Sequence, residues 1–282
     1  MRRVICNAVL AASVVPAVYA LPAHAQGPAQ ALEEVVVSAQ RREQSLQDVP
    51  ISIAAFSNAA IQNFRIQNLT DLNTLVPNMS AVEGAGGTRS VVFQIRGLYA
   101  TGTALGADAG VATYLDGVYL RGGGASIVNY ADLERIEVLR GPQGTLFGRN
   151  TSGGAIAFIT KDPAGEFGFR QKLTTGNFDL FESRTRVDTP QLGPLSASLN
   201  YSYSDREGPV ENTGAGFAVD FAEFGGGSFV SPDRLGDSKT EAVFLAVDAD
   251  FHEDLSLLYK FDYTDMEATP TAVGILGSIP TL

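Results

Sequence analysis

Residues 139–163 read LRGPQGTLFGRNTSGGAIAFITKDP, from Leu139 to Pro163. Gly141, Gly144, Gly148, Gly153 and Gly154 lie between an apolar run ending at Leu139 and another from Ala155 to Thr160. Glycine at this density marks a chain that turns repeatedly in little space. The stretch offers no candidate for chemistry, so it reads as a compact element that fits inside something larger. A phosphate-loop reading fails on the residues themselves. No Gly-Lys-Ser/Thr closes Gly141–Gly148, and Gly144-Thr145-Leu146-Phe147-Gly148 has no lysine to reach a phosphate.

The N-terminus is of a different kind. Arg2 and Arg3 precede an apolar stretch from Val4 to Val18, and Ala23-His24-Ala25 forms a small-x-small cleavage site before Gln26. Residues 1–25 are therefore expected to be a secretory signal peptide. Cys6 is the chain's one cysteine and falls within it, so the exported chain carries no disulfide. Removing Arg2 and Arg3 from the 20 basic residues leaves 18 against 31 acidic ones. That balance argues against a nucleic-acid partner, whose backbone wants the opposite sign.

Leu32 to Ala39, LEEVVVSA, has strand propensity but no evident partner. It is either the first strand of the domain or a strand held out for another protein to pair with. From Val49 to Pro163 the segments are short and mixed. Strands are predicted at Ile51–Phe56, Ser90–Arg96, Arg135–Leu139 and Ala155–Thr160. Ser57 is placed to cap a helix carrying Ile61 and Phe64, and Leu69, Leu72 and Leu75 recur at helical spacing before Pro77. Val111–Leu120, VATYLDGVYL, is a hairpin around Asp116-Gly117.

Beyond Glu166 the pattern changes to long two-residue alternation. In Leu195–Asp205 the odd positions are Leu195, Ala197, Leu199, Tyr201 and Tyr203, with serines and Asn200 between them. Leu255–Thr264 repeats it, with Leu258 as the exception. Thr240–Phe251 and Phe167–Thr174 follow it less cleanly, and Leu180–Asp188 is the weakest. One apolar face and one polar face suit either a soluble sandwich or a barrel that shows its apolar side to lipid. Tyrosines toward the strand ends, and strands of about 9–11 residues, favour the barrel. The glycine- and acid-rich Gly208–Lys239 loop would face outside.

LEEVVVSA, VATYLDGVYL and RIEVLRGPQGTLFGRNTSGGAIAFITKDP together resemble the TonB-dependent outer-membrane receptors. The motifs cover Leu32 to about Pro163, and beyond Glu166 only the strand pattern continues. The resemblance implies an α+β plug domain followed by antiparallel transmembrane β-barrel strands, part of a 22-stranded barrel. The expected divisions are 1–25 signal peptide, 26–48 leader with TonB box, 49–163 plug and 164–282 first barrel strands. Glu33, Glu34, Val35, Val36, Val37, Ser38 and Ala39 would form the box that pairs by strand addition with TonB and its inner-membrane energising complex. Arg96-Gly97 and Arg140-Gly141 match plug-anchoring positions, with Glu137 as a carboxylate near Arg140. Glu83, Arg89, Tyr99 and Asp108, in the apex segments, are candidate ligand contacts.

The resemblance implies an outer-membrane receptor of a Gram-negative bacterium. It would take up a scarce ligand, an iron chelate first, with haem, cobalamins and oligosaccharides as alternatives. No catalytic constellation, metal site or cofactor is expected. The exported chain has one histidine, His252, and paired carboxylates such as Glu33-Glu34 or Asp262 and Asp265 read as solvated. The competing reading is a periplasmic or surface ligand-binding module built on a soluble β-sandwich. Five strand candidates cannot close a barrel, and open edges in lipid leave backbone groups unpaired. The chain is therefore expected to be a non-autonomous first third of a receptor, its barrel completed by further sequence or by a second polypeptide.

Overall fold

The computed structural model describes residues 36–37, 44–66, 68–83, 91–98, 109–120, 128–220, 227–252 and 254–270. The described chain begins with β1 (Val36–Val37), β2 (Gln44–Ser45) and β3 (Ile53–Ser57). Ser57 caps α1 (Asn58–Asn63), its hydroxyl accepting from the Ala60 N–H at 3.4 Å. A 3-10 helix at Leu69–Thr74 starts on a reciprocal cap: Asn68 Oδ1 accepts from the Asp71 amide and Asp71 Oδ2 accepts from the Asn68 amide. It buries Leu69 and Leu72. β4 (Met79–Glu83), which no periodicity reveals, pairs with β5 (Val91–Ile95).

β6 (Val111–Leu115) and β7 (Val118–Leu120) form the hairpin expected around Asp116-Gly117. Both turn residues have positive φ, 48° and 84°, which is the turn that matches the twist of its strands. β8 (Leu133–Arg140), α2 (Gly144–Phe147) and β9 (Gly154–Thr160) follow. The resulting five-stranded sheet runs β3-β8-β9-β6-β7, with β6 and β9 parallel and the other pairs antiparallel.

Each face of this sheet carries its own core. Ile136, Val138, Ile156 and Phe158 pack with α1, the 3-10 helix and the β4–β5 pair. On the other face Leu139, Ala155, Ala112 and Tyr114 are covered by Val37, Val49 and the partly buried Leu46 and Ile51. Val36–Val37 and residues 44–51 thus form a strap across the second face.

A second sheet holds β10 (Gly168–Thr175), β11 (Phe181–Asp188) and β12 (Leu195–Arg206). The chain then makes an excursion through β13 (Val210–Glu211), β14 (Ala218–Asp220), β15 (Ser228–Val230) and β16 (Arg234–Leu235), before β17 (Ser238–His252) and β18 (Leu255–Ala268). The long strands are antiparallel in the order β10-β11-β12-β17-β18. All five alternating segments form strands, including the weakest. The excursion corrects its reading as a simple loop. β13 pairs with β16 and β14 with β15, making a hairpin whose rungs are too short to show alternation.

The long sheet is inside out by the standard of a soluble protein. Ser196, Ser198, Asn200, Ser202 and Ser204 are buried, whereas Leu195 and Leu199, on the alternate positions, are more than 40% exposed. On β18, Leu257, Tyr259, Phe261 and Tyr263 all point away from the molecule and are exposed. A sandwich would bury that face; only an apolar solvent makes it favourable. The polar face is buried because the first sheet lies against it. Among the described residues no helix is long and apolar enough to cross a membrane.

Candidate plug–wall interface and coupling strand

The glycine-dense stretch is a closed loop whose ends are tied together. The Gly141 amide donates to the Gly153 carbonyl at 2.9 Å, and the Gln143 amide to the Thr151 carbonyl at 3.0 Å. Tyr114 Oη donates to the Phe147 carbonyl at 2.6 Å, and the two rings pack at 5.3 Å. Two glycines stand where a side chain is disfavoured, Gly154 by contact and Gly141 by its φ. A Cβ on Gly154 would stand 2.3 Å from the Leu139 carbonyl oxygen, and one on Gly141, at φ 103°, would stand 3.1 Å from Arg96 Nη1.

Arg96 therefore lies over Gly141, which joins the two predicted anchoring pairs, Arg96-Gly97 and Arg140-Gly141, in one place. The Arg96 amide donates to the Asn78 carbonyl at 2.9 Å, and Arg96 and Gly97 have φ of 53° and 79°. Arg140 Nε is buried with no hydrogen-bond partner among the described residues. The expected pairing of Arg140 with Glu137 is corrected. Glu137 makes its ion pair with Arg135, Nε to Oε1 at 2.8 Å, at a fully buried position. Three residues apart on β8, Arg140 and Glu137 project from opposite faces of the strand.

Three polar clamps hold the first sheet to the wall. In the first, Tyr130 is buried between them. Its hydroxyl meets Thr240 Oγ1 at 3.1 Å, while its carbonyl accepts from Asn200 Nδ2 and Ser202 Oγ, each at 3.1 Å. In the second, Asp132 meets Arg186 at 3.2 Å, Arg170 at 3.4 Å and Lys161 at 3.8 Å. Arg186 also grips Asp188, at 2.9 and 2.7 Å, and donates to the Asp162 carbonyl at 2.9 Å. In the third, Lys260 reaches in from β18 to Asp116 at 3.1 Å, Asp162 at 2.8 Å and Thr160 Oγ1 at 3.0 Å.

The second and third clamps share Asp162 and enclose a cavity of only about 30 Å³, lined by Asp116, Asp132, Arg186 and Lys260 among others. Four carboxylates (Asp116, Asp132, Asp162, Asp188) meet four cations (Lys161, Arg170, Arg186, Lys260), so the network is neutral. Sequence reasoning misses these residues because the partners lie far apart in the chain. The one available signal is a lysine, Lys260, on the polar face of an alternating strand.

Of the expected TonB box, Val36 and Val37 alone are described. These pair antiparallel with Ser45 and Gln44, with Val36 exposed and Val37 fully buried against the sheet. Glu33, Glu34, Val35, Ser38 and Ala39 lie outside the described residues, as do residues 1–25, where a signal peptide is expected. Of the candidate ligand contacts, Arg89, Tyr99 and Asp108 lie outside them too. Glu83 closes β4, and its side chain is likewise outside. Among the described residues no group of three or more His, Cys, Asp or Glu could hold a metal ion.

A small sheet clamped to the polar face of a second sheet, whose other face is apolar and bare, is the arrangement of a plug against a barrel wall. Residues 45–155 match the TonB-dependent Receptor Plug Domain family, so the chain carries a TonB-dependent receptor plug and is an outer-membrane protein. It is 34% identical over 80 residues to the metal-pseudopaline receptor of Pseudomonas aeruginosa, covering 28% of this chain and 11% of that protein. It is 30% identical over 158 residues to the vitamin B12 transporter of Vibrio vulnificus, covering 55% and 25%. The ferric yersiniabactin uptake receptor of Yersinia pestis superposes with a TM-score of 0.60 at 19% identity, over 77% of this chain and 31% of that one. The chain thus spans between about a tenth and a third of the length of these relatives.

Proposed function

We propose that this chain supplies the plug and part of the barrel wall of a receptor that draws a scarce metal chelate across the outer membrane. Siderophore-bound iron is the first candidate, with TonB and its energising complex as the partner. Residues 26–48 are the leader, 49–163 the plug and 164–282 wall strands. The reading is carried by one observation: a sheet whose polar face grips a plug and whose apolar face is bare. The chelating ligands named for two of the relatives support a metal cargo, while the vitamin B12 transporter marks the competing cargo class. No catalytic role is assigned.

The mechanism needs only a reversible strand. Val36–Val37 is a two-residue pair, held by one buried valine and few hydrogen bonds, so exchange onto another protein's strand edge costs little. The three clamps by contrast fix the plug where it meets the wall. Membrane fractionation tests the placement: the chain should extract with outer-membrane detergent fractions and retain a purified TonB periplasmic domain. Release by osmotic shock would instead favour the soluble module.

A further inference from the structure

The polar face of the long sheet presents its residues in rungs. One rung runs Arg170, Arg186, Asn200, Phe244, Asp262, and the next runs Lys172, Arg184, Ser202, Ala242, Thr264. Both start with two cations on directly paired positions, which repel unless compensated. The first pair is compensated by Asp132 and Asp188. The second has only Glu182, 4.0 Å from Arg184, and Lys172 makes no ion pair among the described residues. Further along the same face Arg206 lies 5.5 Å over the Phe178 ring, its Nε buried without a hydrogen-bond partner among the described residues.

The distribution is lopsided. Beyond the rungs that hold the plug, the lumen face carries Lys172, Arg184 and Arg206 against Glu182. The outward face at that height carries Asp205, Glu241, Asp265 and Glu267 against Lys239. At this height the sheet therefore sets more acids on its outward face and more bases on its lumen face. We propose that Lys172 and Arg184 form an anion-binding subsite on the lumen wall, selecting ligands that carry carboxylate, catecholate or phosphate oxygens over neutral ones. The guanidinium offers paired donors to such oxygens and the ammonium a point charge beside it. Low-dielectric walls around the lumen strengthen the attraction at close range.

This deepens the uptake reading and rests on it. The test is equilibrium dialysis of the full chain in detergent against two radiolabelled iron complexes: anionic iron(III) tris(2,3-dihydroxybenzoate) and neutral iron(III) tris(acetohydroxamate). The anionic complex should bind at least about tenfold tighter, and a K172M/R184M variant should lose about tenfold of that affinity, with K172R/R184K retaining it. Inorganic phosphate should compete with the anionic complex in the wild type. Equal binding of the two complexes, or undiminished binding of the anionic one by K172M/R184M, overturns the subsite and leaves the receptor reading standing. Failure to bind either complex, together with failure to retain the TonB periplasmic domain, overturns both.

Discussion

Lys260 of β18 and Asp116 of the β6–β7 turn, 144 residues apart in sequence, meet at 3.1 Å, and Asp116 is itself fixed by the Thr160 amide at 2.9 Å. One wall lysine therefore holds the hairpin and the end of β9 together. Replacing it by methionine keeps the stem but leaves Asp116 and Asp162 facing each other without a cation. Lys260→Met should cost about 2 kcal/mol. It should also speed hydrogen exchange at the Asp116 and Thr160 amides before any change in the strap. Unchanged exchange at those two amides would remove Lys260 from the clamp.

Tyr130 separates two kinds of contact in one residue. Its carbonyl is held by Asn200 and Ser202, and its hydroxyl by Thr240. Tyr130→Phe loses the hydroxyl contact alone and should lower stability by about 1 kcal/mol. Asn200→Ala should cost more, because it leaves a carbonyl half-satisfied at a buried interface. Thermal unfolding of both variants in detergent ranks them, and the reverse order would contradict the geometry.

Val36 and Val37 should respond in opposite directions. Val36→Pro removes a strand donor and should abolish retention of the TonB periplasmic domain while leaving ligand binding intact. Val37→Asp would place a carboxylate against Tyr114, Leu139 and Ala155, so the strap should lift and retention should rise. Pull-down with the purified periplasmic domain reads both. Retention unaltered in Val36→Pro would sink the coupling role.

Gly154→Ala adds one methyl group 2.3 Å from the Leu139 carbonyl oxygen and 2.9 Å from Ile95 Cδ1. The β8–β9 ladder must separate to admit it, and a loss of about 3 kcal/mol or more follows. Gly144→Ala, with nothing within 4 Å, serves as the control and should be close to neutral. Comparable melting temperatures for the two variants would refute the packing argument.

What could be read from the sequence followed from how far each signal reaches along the chain. Alternation in 195–205 and 255–264 is local and survived as β12 and β18. Asp116-Gly117 is a two-residue signal and became a turn. β4 was hidden because Met79-Ser80-Ala81-Val82-Glu83 mixes sizes without a period, its pairing set by β5. The clamps were invisible because Asp132 and Arg186, or Tyr130 and Asn200, become neighbours only once the first sheet rests on the wall. The Arg140–Glu137 pairing failed for a reason already in the sequence, since odd spacing on a strand parts two side chains. Sequence alone offered the turn residue Asp116 no carboxylate role.

The seat of Val37 exists only after three strands have met. Tyr114, Leu139 and Ala155, buried in the same cluster, come from β6, β8 and β9, and β6 joins β9 in a parallel pair that closes over a long stretch of chain. Non-local pairing of that kind is slow to form, and the seat of the strap depends on it. In the coupling role proposed above, a pull from the periplasm would take this outlying piece first, and the rest of the plug would not need to unfold for it to come free.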